Sequence, residues 1–228
     1  MALLSILMPV YNEAATVEQA IHEAVAPKLP VEHELVVVDD GSTDGTSHIL
    51  HGTAWPEGVR VFKHDRNQGK GAAVRTALHA RGDISAILDA DLEYTPDDIA
   101  KLVPPLVDGS TNAVFGVRAF NGYTSHSFLY VLGNRGVTLV ANALFNVYIA
   151  DLMTCHKVMK TEVFRQLPLR AQGFDIEPEI TARLLQKHER IFEIPVQYRA
   201  RPTEEERNSP FDGFRVVWTL LRCRLRRG

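Results

Sequence analysis

Ile84-Ser85-Ala86-Ile87-Leu88-Asp89-Ala90-Asp91-Leu92-Glu93-Tyr94-Thr95-Pro96 runs from an apolar stretch straight into an acidic turn. The apolar half reads as a buried strand, whose side chains repeat every two residues. Carried into the acidic half, that period points Asp89 and Asp91 the same way, with Cα atoms about 6.6 Å apart. Two carboxylates so placed can share one hard divalent cation, Mg²⁺ or Mn²⁺, completed by phosphate oxygens and water. The pair also reads as two solvated loop aspartates, because so short a motif specifies little by itself. In an open α/β sheet, ligands bind at the carboxyl ends of the strands. The neighbouring elements therefore decide what this turn is for.

Upstream, Ser5–Val10, Leu35–Val38 and Val59–Phe62 are further apolar runs of strand length. Helices are expected between them: over Glu13–Ala26 with Val17, Ala20, Ile21 and Ala24 inward, over Thr43–Leu50, and over Gly71–Ala80. Downstream, Pro96 opens another helix and Ala113–Val117 is a fifth strand. Strict alternation predicts an α/β fold, a mainly parallel central sheet with helices on both faces. The back half is less regular. A helix over Phe128–Ile149 is interrupted by Gly133 and Gly136, and Glu177–Gln186 is a second helix. Ile191–Val196 is a strand that Pro195 confines to an edge or a strand end. A polar loop, Arg199–Pro210, leads to a last helix over Phe211–Arg227. The expected organisation is one domain over 1–210 followed by a helical segment over 211–228.

Composition narrows the function. A chain of 228 residues is long enough for one sizeable α/β domain, and its net charge of −3 gives no pull toward nucleic acid. Cys155 and Cys223 are the only cysteines, which argues against a disulfide framework or zinc cluster and for a reducing compartment. The apolar start lacks the basic residues and cleavage site of a signal peptide and reads as a first strand. No uninterrupted apolar run reaches the ~18 residues that would span a bilayer. The chain is read as soluble or as lying on a membrane.

Several acidic and glycine-rich stretches fall where strand ends meet helix starts. Pro9-Val10-Tyr11-Asn12-Glu13 ends the first strand, and Asp39-Asp40-Gly41-Ser42-Thr43-Asp44 ends the second. Asp39 and Asp40 offer acceptors for a nucleobase N–H or for ribose hydroxyls, and two adjacent carboxylates repel unless they have partners. Ser42, Thr43 or Asp44 is suited to cap the following helix. Arg66-Asn67-Gln68-Gly69-Lys70-Gly71 opens a helix with the ingredients of an anion site: backbone amides, glycines and a lysine. It lacks Walker spacing, and no G-x-G-x-x-G follows the first strand, which disfavours a Rossmann-type nicotinamide or flavin enzyme. No metalloprotease helix or Gly-x-Ser-x-Gly elbow is present. His64, His126 and His188 read as surface residues.

Taken together and in order, Met8–Glu13, Asp39–Asp44, Asn67–Gly71 and Asp89–Tyr94 resemble the family 2 glycosyltransferases of the GT-A fold, over residues 1–120. The resemblance continues toward synthases of dolichol- or polyprenyl-phosphate sugars. Val114-Phe115-Gly116-Val117-Arg118 is similar to that group's Gly-x-Arg strand. Asp151-Leu152-Met153-Thr154-Cys155-His156-Lys157 is similar to its Asp-x-x-Thr-Cys-Tyr-Lys stretch, with His156 where an aromatic is usual. Gly173–Thr181, Glu193–Val196 and Asp212-Gly213-Phe214 match later blocks. One block departs: Arg201-Pro202-Thr203-Glu204-Glu205-Glu206-Arg207 keeps an arginine and two glutamates but lacks that group's glycine and two lysines.

The resemblance implies an inverting transferase that moves a hexose, glucose or mannose, from a UDP- or GDP-sugar to a polyprenyl or dolichyl phosphate. It divides the domain into a nucleotide-sugar half (1–120) and an acceptor half (121–210). By the same resemblance Pro9, Tyr11, Asn12, Glu13, Asp39, Asp40, Gly69, Lys70, Asp89 and Ala90 contact the donor nucleotide. Asp91, supported by Asp89 and Glu93, holds Mg²⁺ or Mn²⁺, Arg118 and Lys157 steer phosphates, and Arg201 serves the phosphate acceptor. Two alternatives stay open. A hydroxyl acceptor would need a general base among Asp175, Glu177 and Glu179, and a non-catalytic nucleotide-sugar-binding subunit would need none. The last segment, 211–228, sets Phe211, Phe214, Val217, Trp218, Leu221 and Leu225 at near-helical spacing among five arginines. It reads either as a cationic amphipathic helix on an anionic membrane, giving a peripheral protein on the cytoplasmic face, or as a helix packed on the domain.

Overall fold

A computed structural model describes residues 2–118, 128–199 and 210–225. Its elements are β1 (Leu3–Val10), α1 (Val17–Val25), β2 (Glu32–Asp39), α2 (Thr46–Gly52), β3 (Val59–Lys63), α3 (Lys70–Ala77) and β4 (Ile84–Ile87). They continue as α4 (Ile99–Leu102), α5 (Pro104–Val107), β5 (Ala113–Arg118), α6 (Phe128–Phe145), β6 (Lys157–Lys160), α7 (Thr161–Arg165), α8 (Ile176–Gln186), β7 (Ile191–Val196) and α9 (Pro210–Leu225). A short 3₁₀ turn, Pro96–Asp98, leads into α4.

The strands form one seven-stranded sheet in the order β3-β2-β1-β4-β6-β5-β7. β1 pairs in parallel with β2 and with β4, and β2 in parallel with β3. β6 runs antiparallel to both β4 and β5, while β7 lies parallel to β5 at the edge. The expected mainly parallel sheet is found, with one reversed strand that the pattern did not predict. Only Val158 and Met159 are apolar between the lysines that end β6, too short a run to announce a strand. Pro195 sits in the edge strand, where a missing N–H costs no ladder bond.

Consecutive residues of β1 point to opposite faces, yet Leu4 through Val10 are all buried, so the sheet is covered on both sides here. The residues expected inward on α1, namely Val17, Ala20, Ile21 and Ala24, are the buried ones. A second, smaller core joins Ala141, Leu152, Ala182, Val216, Leu220 and Cys223 where α6, α8 and α9 meet. One face of the last helix is therefore packed on the domain.

Between β1 and β2 lies a buried polar knot. Glu34, only 4% exposed, accepts from the Ser5 hydroxyl at 2.6 Å and the Arg81 amide at 2.6 Å, and pairs with Arg60 Nε at 3.1 Å. Burial raises the Glu34 pKa, but the Ser5 and Arg81 hydrogen bonds and the Arg60 charge outweigh it, so the carboxyl is held below its ordinary value. A carboxyl so held stabilises the fold above its ordinary pKa, and that contribution is lost as pH falls through the lowered one. At neutral pH, Glu34→Gln should cost about 1–3 kcal/mol in urea unfolding. The gap from wild type should narrow as the unfolding is repeated at falling pH.

Candidate active site at the carboxyl edge of the sheet

The parallel strands end side by side. Val10 is in register with Asp39, and Asp39 with Lys63. The Asp40 amide donates to Val10 O at 2.8 Å, and the Leu88 amide to Leu7 O at 3.0 Å. The three acidic stretches singled out in the sequence thus meet along one edge. The loops after β1 and β2 are tied together: the Asn12 amide donates to Ser42 Oγ at 3.1 Å, and the Thr43 amide to Asn12 Oδ1 at 2.8 Å. The Glu13 amide donates to Thr46 Oγ1 at 2.9 Å, and Asp44 Oδ1 accepts the Thr46 amide at 3.0 Å where α2 begins. The Tyr11 ring stays exposed beside them.

Asp39 and Asp40 are both buried but do different things. Asp39 Oδ1 accepts the Ser42 amide at 2.9 Å, while its Oδ2 is buried with no hydrogen-bond partner among the described residues. Asp40 accepts the Gln68 amide at 3.0 Å and the Gly69 amide at 2.7 Å, and pairs with His64 Nδ1 at 2.6 Å. The glycine-lysine loop does present amides to an anion, as its composition suggests, but that anion is Asp40. Gly71 N also points inward, donating to Gln172 O at 2.7 Å. Gly69 has φ +92, and a methyl there would collide with the Gln172 carbonyl oxygen, so this loop lies directly on segment 171–173. His64, expected on the surface, is a nearly buried partner of Asp40, whereas His188 is exposed. His126 lies outside the described residues.

β4 ends at Ile87, so the strand period does not extend to Asp91. The chain turns instead, with Leu92 in the left-handed region at φ 62, a cost of about 1–2 kcal/mol for a branched side chain. Asp91 Oδ1 accepts the Glu93 amide at 3.0 Å and closes the turn. Glu93 Oε2 accepts from the Tyr198 hydroxyl at 2.8 Å, and Tyr94 bridges to Tyr198 beyond β7. Burial, then the charge on Asp89, then that on Glu93 push the Asp91 carboxyl up to about 7. Ala90, between the two aspartates, is buried. Such a cluster favours a cation.

One cation already stands there. Lys70, the first residue of α3, places its ammonium 2.7 Å from Asp89 Oδ2 and 2.5 Å from Glu177 Oε1 of α8. Burial pulls its pKa down, but the charge on Asp89 leads a set that overrides burial and holds Lys70 above its ordinary range. At Glu177 burial outweighs the ammonium and the carboxyl is raised. The exposed Phe174 ring lies 5.6 Å from the same ammonium. Sequence reasoning missed Phe174, although it falls within the quoted Gly173–Thr181 block.

The two cations expected to steer phosphates lie further inside. Arg118 is buried and forks onto Asp151, with Nε to Oδ2 at 2.7 Å and Nη2 to Oδ1 at 2.8 Å. Its guanidinium also lies 5.3 Å from the Tyr198 ring, so it braces the residue that holds Glu93. Lys157 is fully buried, donates to Leu152 O at 3.1 Å and Thr181 Oγ1 at 3.2 Å, and sits 3.8 Å over the Phe115 ring. Burial lowers its pKa to about 8. His156 is buried against Tyr94, and burial drops its pKa to about 4, so at neutral pH it packs as an uncharged ring. Arg201 lies outside the described residues. Among the described residues, no three His, Cys, Asp or Glu side chains converge to cage a metal.

The glycosyl transferase family 2 model matches residues 5–167 of this chain. The chain belongs to that family. It is 27% identical over 227 residues to dolichol-phosphate mannosyltransferase of Pyrococcus furiosus, covering 96% of this chain and 64% of that protein. It is likewise 27% identical over 223 residues to dodecaprenyl-phosphate galacturonate synthase of Rhizobium johnstonii, covering 96% and 65%. The chain thus spans just under two thirds of the length of these relatives. A UDP-N-acetylglucosamine–dolichyl-phosphate N-acetylglucosaminyltransferase of Methanococcus voltae is 24% identical, covering 98% of this chain and 96% of that one. The fold is shared with glucosyl-3-phosphoglycerate synthase of Mycobacterium tuberculosis, solved with Mn²⁺, uridine diphosphate and phosphoglyceric acid. That match has TM-score 0.76 and 23% identity, covering 98% of this chain and 78% of that one.

Lys70 is the contact that joins the acidic turn to α8. Lys70→Met should destabilise the fold by about 3–5 kcal/mol, since it leaves buried Glu177 and half-buried Asp89 without the cation they share. Adding Glu177→Gln to that variant should recover part of the loss, and the coupling is read from a double-mutant cycle in urea.

Proposed function

We propose that this protein transfers a hexose, with inversion, from a nucleotide sugar to a polyprenyl phosphate, assisted by Mg²⁺ or Mn²⁺. The observation that carries this reading is the half-buried acidic turn after β4, where Asp91 is raised to about 7 beside Asp89 and Glu93. Asp89 accepts an ammonium at 2.7 Å, so its carboxylate is already disposed toward a cation. Asp91 and Asp89 would hold the metal, with the donor's phosphate oxygens completing its shell. When bound, the ion neutralises charge on the departing diphosphate. Glu93, held by Tyr198, lies beside them as a supporting charge.

The buried and unpartnered Oδ2 of Asp39 is offered to an N–H or hydroxyl of the nucleoside, and the exposed Tyr11 ring to its base. Asp40, Asn12 and Gly69 act behind them, fixing the loops that shape the donor site. The acceptor phosphate is assigned to Arg201, with Arg118 and Lys157 bracing the site from inside.

The chemistry favours a phosphate nucleophile. A phosphate monoester has its second pKa near 6, so about nine-tenths is dianionic at pH 7. Its oxygen can bond to the anomeric carbon while the bond to the nucleoside diphosphate breaks with its electron pair, and no proton need be removed. A hydroxyl acceptor would need a base, and the three candidates are all engaged. Asp175 pairs with Arg215 at 3.2 Å, Glu177 with Lys70, and Glu179 accepts the Arg170 and Ala171 amides at 2.7 and 2.6 Å. We place the enzyme at the cytoplasmic face of a membrane, where such an acceptor resides.

The test is transfer of radiolabelled sugar from UDP- and GDP-linked donors to polyprenyl phosphate with Mn²⁺. Absence of labelled lipid with every donor would refute the acceptor. Asp91→Asn should lower transfer by about a hundredfold or more. Asp39→Asn should weaken binding of the preferred nucleotide about tenfold, measured by calorimetry. Arg201→Ala should raise KM for the lipid phosphate about tenfold with little change in kcat.

A further inference from the structure

α6 and α9 pack together over the smaller core, and each turns a second apolar stripe away from it. On α9, Phe214, Trp218, Leu221 and Leu225 recur at intervals of four, three and four residues, one face of a helix. Phe214, Trp218 and Leu225 are 73%, 60% and 82% exposed. On α6, Leu132, Gly136, Leu139 and Ala143 repeat the same intervals and all are exposed, Leu139 at 70%. Arg135, three residues from Leu132, and Arg222, four residues from Trp218, flank the two stripes. Two neighbouring helices thus expose Leu132, Leu139, Phe214, Trp218, Leu221 and Leu225 to water, which a protein bathed in water on every side rarely does.

Charge identifies the occupant. The two helices carry Arg135, Arg215, Arg222 and Arg224 against Asp212 alone, in a chain whose net charge is −3; Arg135 and Arg224 are exposed, while Arg215 and Arg222 also pair with Asp175 and Glu179. A second copy would bring the same cationic face and repel it. An anionic bilayer matches both features, apolar side chains entering the acyl boundary and arginines at the headgroups, with tryptophan at the interface. The platform also adjoins the site. Arg215 pairs with Asp175 at 3.2 Å and lies against Gly173, while exposed Phe174 between them sits 5.6 Å from the Lys70 ammonium. No described helix is long and apolar enough to cross a membrane, so the contact is with the surface layer.

We infer that α6 and α9 together form a docking platform for an anionic membrane surface, which brings the lipid phosphate to the candidate site beside Phe174. This deepens the lipid-acceptor reading and rests on it.

The experiment is flotation of the full chain with phosphatidylcholine vesicles, with and without 30% phosphatidylglycerol, at about 0.15 M salt, where the Debye length is about 8 Å. Wild type should float with the anionic vesicles and lose at least tenfold in partitioning on neutral ones. Phe214→Ser with Trp218→Ser, and separately Leu132→Ser with Leu139→Ser, should each reduce partitioning at least tenfold. Both variants should keep the wild-type melting temperature and transfer sugar normally to a short-chain, water-soluble prenyl phosphate. Equal binding to both vesicle types, or unchanged binding by the α6 variant, would overturn the two-helix platform. So would sedimentation velocity without lipid showing a wild-type dimer that the stripe variants dissociate. Membrane binding without transfer to any prenyl phosphate would support the platform and refute the acceptor, which keeps the two readings separable.

Discussion

At the acidic turn a single ammonium ties the two halves of this molecule together. Lys70 begins the helix after β3, yet it ends between Asp89, beyond β4, and Glu177, on a helix more than a hundred residues later in the chain. Unlike charges at such distances in a buried setting attract strongly, while stripping water from either alone is costly. Each partner therefore makes the burial of the others tolerable. The flanking glycines serve the same joint, because only a residue without Cβ lets the loop lie on the carbonyls of Ala171 and Gln172. Glu179, from the other side, fixes the amides of Arg170 and Ala171 that complete this seat. The acidic turn inherits its position from the joint.

A second consequence concerns the helix start at Gly69. Amides at such a point attract anions, and composition suggests a phosphate. The protein supplies its own anion, since Asp40 receives the Gln68 and Gly69 amides. That leaves Asp39, the neighbouring carboxylate, with an oxygen that is buried and unanswered. An acceptor desolvated without a partner is costly, and a ligand donor arriving there recovers the loss. Of two adjacent aspartates, one fixes the loop before α3, and the other keeps the buried oxygen that we propose meets the nucleotide.

Sequence reading reached the front half because its physics is local. The runs around Ile6, Val37 and Ile87 are buried on both faces, and their strand length and flanking turn residues mark them as central strands. Pro195 limits β7 to an edge or a strand end, and the strand lies at the edge. β6 was invisible because its place depends on pairing with two distant strands, and Lys157 lies buried in spite of its charge. At the site, the residue types were legible and their partners were not. Nothing in the spacing shows that Arg118 forks onto Asp151 or that His64 turns inward to Asp40. Extrapolating a strand's period past Ile87 failed for a plain reason: the chain turns at Asp91, and Leu92 adopts a backbone conformation that propensity assigns to glycine.

The distribution of charge also bears on the reaction. Carboxylates near the acidic turn are numerous, but Glu177 and Glu179 are committed to a lysine and to backbone amides, and Asp175 to an arginine and the Thr219 hydroxyl at 3.0 Å. A base must be free to take a proton and give it up, and groups held by buried ion pairs are poorly suited to that. Where protons need not move, the same carboxylates cost nothing in mechanism and contribute rigidity. A nucleophile that arrives already ionised suits this site, and the remaining difficulty is to bring one anion toward another. The protein's answer is geometric as much as electrostatic. It keeps one lysine at the junction of the acidic turn and α8, and Arg215 of α9 pairs with Asp175 at the start of α8, beside the same junction.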